Sequence, residues 1–364
     1  METKRTESRL GRFAALLKGR ARPRRSLALM MALVIVAVMS MAGVVSADNY
    51  YNGTVPKNVL HGCVNGSVDV KFADTWNTTP VTDWSQQETW ANFTLNLPPG
   101  ATLKFAELVV VPYCGSMSAD YYGNMTVKLY NGNVETTTLV SEQPLNLSYF
   151  RVQGTNYSSL LYGGYLVNLS RVTSDYVADF DVTSNLTGWT GSTVNVKLTS
   201  RNLTGRFDGR FKEAKLAYGW DVPPGNSTAY TCYWKNLGHD PVTKYLVNPY
   251  TTNQTVFSGV SKPRTYTANL WVDFVAGNST SGPGYGKYWW NGGNFTVGSE
   301  WDSGYPPADW FGSKYAGYNH WTWNQGSSNV TTNNGDNILA YSRTNDYYKI
   351  IFALFTISPC DSCP

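Results

Sequence analysis

The chain has 364 residues and a formal net charge of +4, with 15% charged residues, 14% aromatics and 33 glycines. The basic surplus sits in the first 25 residues, where Lys4, Arg5, Arg9, Arg12, Lys18, Arg20, Arg22, Arg24 and Arg25 face only Glu2 and Glu7; 29 less 9 basic and 25 less 2 acidic side chains leave the remainder at −3. That balance excludes nucleic acid as an expected partner, and the remaining length suffices for two ordinary domains.

Ser26 to Ala47, SLALMMALVIVAVMSMAGVVSA, carries no charge and follows the basic flank directly, which is the arrangement of an export signal whose flank stays in the cytoplasm. Leu27 to Val45 approaches the ~20 residues that cross a bilayer, while Val45-Ser46-Ala47 offers a small-residue cleavage site. Residues 1–47 are therefore either a signal peptide or an N-terminal membrane anchor helix, and both fates stay open. In either case everything from Asp48 onward is expected outside the cell. Arg24-Arg25 matches a twin-arginine signal poorly, because Ser26-Leu27-Ala28 follows.

Beyond Asp48 the sequence is rich in Tyr, Trp, Thr, Asn and Gly and shows no long helical periodicity, which predicts strands joined by tight turns. After a polar lead-in, period-two alternation predicts strands at Ser67 to Phe72, Trp90 to Leu97, Asn124 to Asn131, Tyr165 to Ser170, Tyr176 to Val182, Ser192 to Ser200 and Glu213 to Trp220. Lys104 to Tyr113, KFAELVVVPY, has a solid apolar middle and predicts a central strand covered on both faces. The cluster DVPPGNST, Asp221 to Thr228, marks a boundary, so the expected domains are 48–222 and 223–364. Strands then follow at Ala229 to Asn236, Thr265 to Val275, Asp336 to Arg343 and Tyr347 to Ile357, the last being the most apolar run of the exported part. The fold expected is all-β, two antiparallel jelly-roll-like β-sandwich domains.

The acceptor tripeptide Asn-x-Ser/Thr occurs at Asn52, Asn65, Asn77, Asn92, Asn124, Asn146, Asn156, Asn168, Asn185, Asn202, Asn226, Asn253, Asn278, Asn294 and Asn329. Chance in so Asn- and Thr-rich a chain would supply roughly six, so many of these sites, though not all, are expected to carry N-linked glycans and to lie at the surface. Five cysteines, Cys63, Cys114, Cys232, Cys360 and Cys363, leave one over. Outside the cell, Cys360 and Cys363 are expected to close a small loop with each other, and Cys63 could join Cys114. The Cys-x-x-Cys spacing of Cys360 and Cys363 could instead hold zinc or run redox chemistry, but zinc would need two more ligands, and the only histidines are His61, His239 and His320.

Several stretches, among them DNYYNGTVPKNVLHG (Asp48 to Gly62), NLSRVTSDYVADFDV (Asn168 to Val182), GRFDGRFKEAKLAYGWDV (Gly205 to Val222), YWKNLGHDPVTKY (Tyr233 to Tyr245) and NILAYSRTNDYYKIIFALFTI (Asn337 to Ile357), resemble a family of secreted and surface proteins of methanogenic archaea, the domain of unknown function 3344. The resemblance spans nearly all of the exported chain. It implies an archaeal surface location and brings no catalytic residues with it.

Six of the thirteen tryptophans, Trp289, Trp290, Trp301, Trp310, Trp321 and Trp323, crowd between Pro283 and Trp323 with five tyrosines, which suits either a platform for stacking on sugar rings or a local core. If strand-like, Trp289 and Trp290 point to opposite faces, one into a core and one outward. Glu300, Asp302 and Asp309 in the same region are the carboxylates a glycoside-cleaving enzyme would need, and otherwise a calcium site or a solvated edge. Asp179 and Asp181 share one strand face, most simply a solvated one, with a structural calcium ion as the alternative; His239-Asp240 lacks the nucleophile motif of a triad. No other cofactor is implied. The expected function is that of an exported, N-glycosylated, non-catalytic surface protein binding cell-surface glycans or neighbouring envelope proteins, possessing membrane contact only through an uncleaved leader; the alternative is a secreted carbohydrate-active enzyme.

Overall fold

A computed structural model describes residues 49–50, 57–75, 86–113, 121–146, 176–189, 192–205, 207–223, 225, 229–238, 252–275, 287–291, 293–294, 318–325, 332–342 and 349–364. The leader lies outside these residues, and among them no helix is long and apolar enough to cross a membrane. The described chain is almost wholly strand, with one helical turn, Thr183–Leu186 (α1).

Four sheets account for the strands. Sheet I is ordered Gln86–Thr94 (β4), Thr193–Gly205 (β9), Tyr121–Asn131 (β6) and Val134–Asn146 (β7). Sheet II is ordered Asn49–Tyr50 (β1), Ala178–Asp181 (β8), Thr102–Tyr113 (β5), Arg210–Asp221 (β10) and Gly66–Asp74 (β3). Sheet III is ordered Tyr318–Gln325 (β16), Thr267–Val275 (β13), Lys349–Cys360 (β18), Tyr230–Leu237 (β11) and Lys57–Val64 (β2). Sheet IV is ordered Thr252–Val260 (β12), Gly335–Ser342 (β17), Lys287–Trp290 (β14) and Gly293–Asn294 (β15). All the strand pairings described are antiparallel.

Period-two alternation decides which residues meet. Ala91 and Phe93 of β4, Val127 and Leu129 of β6, and Val194, Val196 and Leu198 of β9 point from sheet I onto Leu108 and Val110 of β5, Phe180 of β8, and Leu216 and Tyr218 of β10, forming the first sandwich core. Trp234 of β11, Leu270 and Val272 of β13, and Phe355 and Ile357 of β18 meet Phe257 of β12, Trp290 of β14 and Leu339 of β17 in the second core between sheets III and IV. The inner sheets are apolar on their other faces too. Val68 and Val70 of β3, Phe105, Val109 and Val111 of β5, and Ala217 of β10 pack against Tyr233 and Leu237 of β11, Trp271 of β13, and Phe352 and Leu354 of β18, a third core joining the two sandwiches. The sheets thus stack in the order I, II, III, IV. Strands β5 and β18 are the most apolar because both of their faces are covered.

The proline-rich stretch after Asp221 lies in the chain between β10 of sheet II and β11 of sheet III. One strand crosses that boundary: β2, part of the polar lead-in, pairs with β11 in sheet III. The chain passes from β2 in sheet III to β3 in sheet II through Asn65 alone, whose amide donates to Asp221 Oδ1 at 2.7 Å.

The cysteines depart from the expected pairing. Cys63 is joined to Cys363 and Cys232 to Cys360, with Cα separations of 5.4 and 5.9 Å, in place of a Cys360–Cys363 loop or a Cys63–Cys114 tie. The reason is that β18 runs on to Cys360, which turns into the second core where Cys232 lies, so the tail carries Cys363 back over β2. Cys114 lies outside the described residues.

Candidate functional site

The seam between sheets II and III holds the most unusual chemistry among the described residues, since each inner sheet sends one buried lysine into the other. Lys235 of β11 faces sheet II because Cys232 and Trp234 on alternate positions face sheet IV. Its Nζ donates to both carboxylate oxygens of Asp179 on β8, each at 2.9 Å, and to Glu107 Oε2 on β5 at 2.9 Å. Lys215 of β10 makes the reciprocal crossing: it donates to Glu213 on its own strand at 2.6 Å, pairs with Asp273 of β13, and stands 5.6 Å from the centre of the Phe352 ring. Both lysines are fully buried, and a buried charge persists only when paired.

Each lysine meets two carboxylates, an excess of negative charge that shows in their protonation. Burial pushes the Glu107 carboxyl up to about 7, with Lys235 opposing the shift and Asp179 and Asp181 adding to it. Burial likewise pushes Asp273 well above the usual carboxylate range, Glu213 adding to this and Lys215 opposing it. For Lys215 the desolvation that would strip its proton is outweighed by Asp273 and Glu213, so its affinity for the proton rises. A lysine between two carboxyl groups is electrically balanced when one of the two keeps its proton.

Close packing surrounds the charges. Phe105 and Tyr233 stack across the seam at 4.3 Å between ring centres, and burial lifts the Tyr233 phenol to about 12. Gly219 makes room for this pair: a Cβ there would lie 2.3 Å from Phe105 Cε1. Gly62 plays the same part beneath Tyr233, its virtual Cβ being 2.8 Å from the phenol oxygen. Thr231 Oγ1 adds a hydrogen bond from β11 to the Gly66 carbonyl at 2.7 Å.

This arrangement corrects one expectation. Asp179 lies not on a solvated face but 7% exposed in the grip of Lys235, whereas Asp181 is exposed and accepts from the Thr183 amide at 2.9 Å. Among the described residues no group of three His, Cys, Asp or Glu could hold a metal ion. Of the aromatic cluster, Trp290 is buried in the second core against Phe257 and Phe355, with ring centres 5.7 and 5.1 Å away. Trp289, Trp321 and Trp323 fall on β14 and β16 with side chains outside the described residues; Trp301, Trp310, Glu300, Asp302, Asp309 and His239-Asp240 lie outside them altogether.

The acceptor asparagines divide sharply by burial. Asn202 is 1% exposed with its Nδ2 donating to the Gly205 carbonyl, and Asn124 is 8% exposed. Both side chains are buried in this structure, unlike the outward positions expected for acceptor sites. Asn185 is half-buried, its Nδ2 donating to Thr137 Oγ1 at 3.2 Å, and Asn65 is half-buried. Asn92 is fully on the outside. Asn146, Asn253 and Asn294 lie on strands with undescribed side chains, and Asn52, Asn77, Asn156, Asn168, Asn226, Asn278 and Asn329 lie outside the described residues.

The sequence contained a signal for the seam that alternation alone did not reveal. Lys215, Lys235 and Asp273 each sit in an otherwise apolar strand at a position sharing its face with large apolar side chains, as in YWKN and LWVDFV. Trp90 was missed as a surface residue because aromatic side chains on a predicted strand are normally assigned inward.

Stacked antiparallel sheets with a largely buried charged seam and long-range disulfides define an all-β protein. The chain belongs to the family described as proteins of unknown function (DUF3344), whose model matches residues 49–358. No curated protein matches it. Among solved structures, PNGase F, a glycosylasparaginase from Flavobacterium meningosepticum, is similar at 11% identity over 81% of this chain and 97% of that one, with a TM-score of 0.24. The ANX1 ectodomain from Arabidopsis thaliana is similar at 9% identity over 84% of this chain and 95% of that one, with a TM-score of 0.23. TM-scores this low assign neither fold nor activity.

Proposed function

We propose that the protein is an exported, N-glycosylated, non-catalytic component of an archaeal cell surface that binds glycans or neighbouring surface proteins. The observation that carries this reading is the pair of disulfides, Cys63–Cys363 and Cys232–Cys360, which span 300 and 128 residues and, as a rule, form in an oxidising compartment. The basic flank before Ser26 and the density of acceptor tripeptides support the same location. A contact role is supported by the build of the molecule. The third core and its paired charges hold sheets II and III together, and among the described residues the outer face of sheet I presents Glu88, Trp90 and Thr94 to meet a partner.

Fractionation of cells making the full chain, with mass spectrometry of its N-terminus and glycopeptides, tests this. The protein should begin at Asp48 or be membrane-bound with a glycosylated bulk outside. Unglycosylated full-length chain in the cytosol would overturn the proposal. The non-catalytic part is tested by the triple variant Glu300→Gln, Asp302→Asn, Asp309→Asn, which should retain the wild-type binding to isolated envelopes and reveal no lost hydrolytic activity on envelope glycans.

A further inference from the structure

Strand β4 lies at the edge of sheet I among the described residues, and its burial alternates without a break around Trp90. Ala91 and Phe93 enter the first core, while Glu88, Trp90, Asn92 and Thr94 are all exposed on the outer face. Trp90 is 43% exposed, the largest ring among the exposed apolar side chains described. It is held rather than loose: Tyr130 of β6 meets it edge-on with ring centres 4.9 Å apart at 67°, and Lys197 Nζ of β9 stands 5.9 Å from its centre. Lys197 is in turn paired with Glu88 at 2.9 Å.

An acceptor tripeptide occupies the same face of the same strand. Asn92 and Thr94, its first and third members, both point outward, and residues two apart on a strand stand about 7 Å apart. An asparagine side chain plus one pyranose ring spans that distance, so a sugar on Asn92 reaches the indole of Trp90. The ring presents a flat apolar surface to the C–H face of a sugar, beside Lys197, Glu88 and Asn195 as hydrogen-bonding neighbours. The contrast with the other described acceptors is physical: Asn124 and Asn202 are buried, Asn65 is half-buried, and Asn185 donates its amide to Thr137.

We propose that Asn92 is an N-glycosylation site whose first sugar packs on Trp90, so that the glycan forms part of the outer face of sheet I and covers its edge strand. This rests on the reading of the protein as exported and N-glycosylated. In the modification, Asn92 Nδ2 forms a bond to the anomeric carbon of a lipid-linked oligosaccharide. The bond from that carbon to the lipid phosphate breaks, its electron pair leaving on the phosphate oxygen, and the amide proton passes to the base of the transferase. Among the described residues β4 has no strand on its far side, so an attached chain would shield a sheet edge.

The test uses the full chain made in an N-glycosylating archaeal host, with glycopeptide mass spectrometry and hydroxyl-radical footprinting of Trp90 in wild type, N92Q and T94A. The expected result is occupancy at Asn92 and Trp90 oxidation that rises severalfold, and equally, in the two variants. W90A should leave the fold intact and lower the urea midpoint difference between glycosylated and N92Q backgrounds to zero. Glycans at other acceptors with Asn92 bare would overturn this inference alone, as would occupancy at Asn92 with unchanged Trp90 oxidation. A chain without any glycan would overturn the N-glycosylated part of the proposed function with it, whereas export is read separately from the fractionation.

Discussion

Replacing Glu107 by Gln is the sharpest probe of the charged seam. Glu107 takes up a proton at about 7 in the folded protein against an ordinary value of 4.5, so the folded state holds this proton more tightly than the unfolded one. A group shifted in that direction stabilises the fold fully below the unfolded value and loses that contribution as pH rises through the folded value. The whole shift corresponds to about 3 kcal/mol, of which about 2.5 kcal/mol falls between about pH 5 and about pH 8. Gln keeps the shape of protonated Glu, and Lys235 retains both oxygens of Asp179 at 2.9 Å, so the variant should fold. Urea unfolding of wild type and E107Q at several pH values is the assay. The wild type should lose about 2–3 kcal/mol relative to E107Q over that range, the difference opening above about pH 5. A constant difference, or one that closes as pH rises, would refute the account of Glu107 as an excess carboxyl in a largely buried seam.

Removing Lys235 tests the same pairings from the other side: K235A strands Asp179 and Glu107 and should cost about 3–5 kcal/mol, read from the urea midpoint at constant slope. Gly219→Ala places a methyl group against the Phe105 ring and should cost about 1–3 kcal/mol by overpacking, whereas Gly132→Ala, with nothing within 4 Å of its virtual Cβ but a φ of 59°, should cost less and only through backbone strain. N202Q should leave the glycan mass of the secreted protein unchanged, because Asn202 is buried; a loss of one glycan in that variant would contradict the assignment of its face.

Most strands were legible because their patterning has a simple cause. Alternation marked β3, β4, β6 and β9, which are covered on one side, and unbroken apolar runs marked β5 and β18, covered on both. The strands that escaped lack either pattern. Strand β2, KNVLHGCV, mixes exposed and half-buried positions and contains Gly62, required by Tyr233 rather than by a turn. Strand β7 carries Pro144 and is paired to β6 through several register shifts, so its alternation is interrupted. The break between β10 and β11 near Asp221 was visible as chain chemistry, but the third core was not, since a face that is apolar in sequence does not say which sheet it meets. The disulfide pairing was hidden for a related reason: a Cys-x-x-Cys spacing looks self-sufficient until Cys360 is found to be the last residue of a strand aimed into a core.

Non-reducing peptide mapping of the protein recovered from cells making the full chain tests the central claim, a β-sheet body whose C-terminal tail is tied back across sheet III. The account predicts linked peptides joining Cys63 to Cys363 and Cys232 to Cys360. A Cys360–Cys363 loop, or all four side chains alkylated as free thiols, would contradict it.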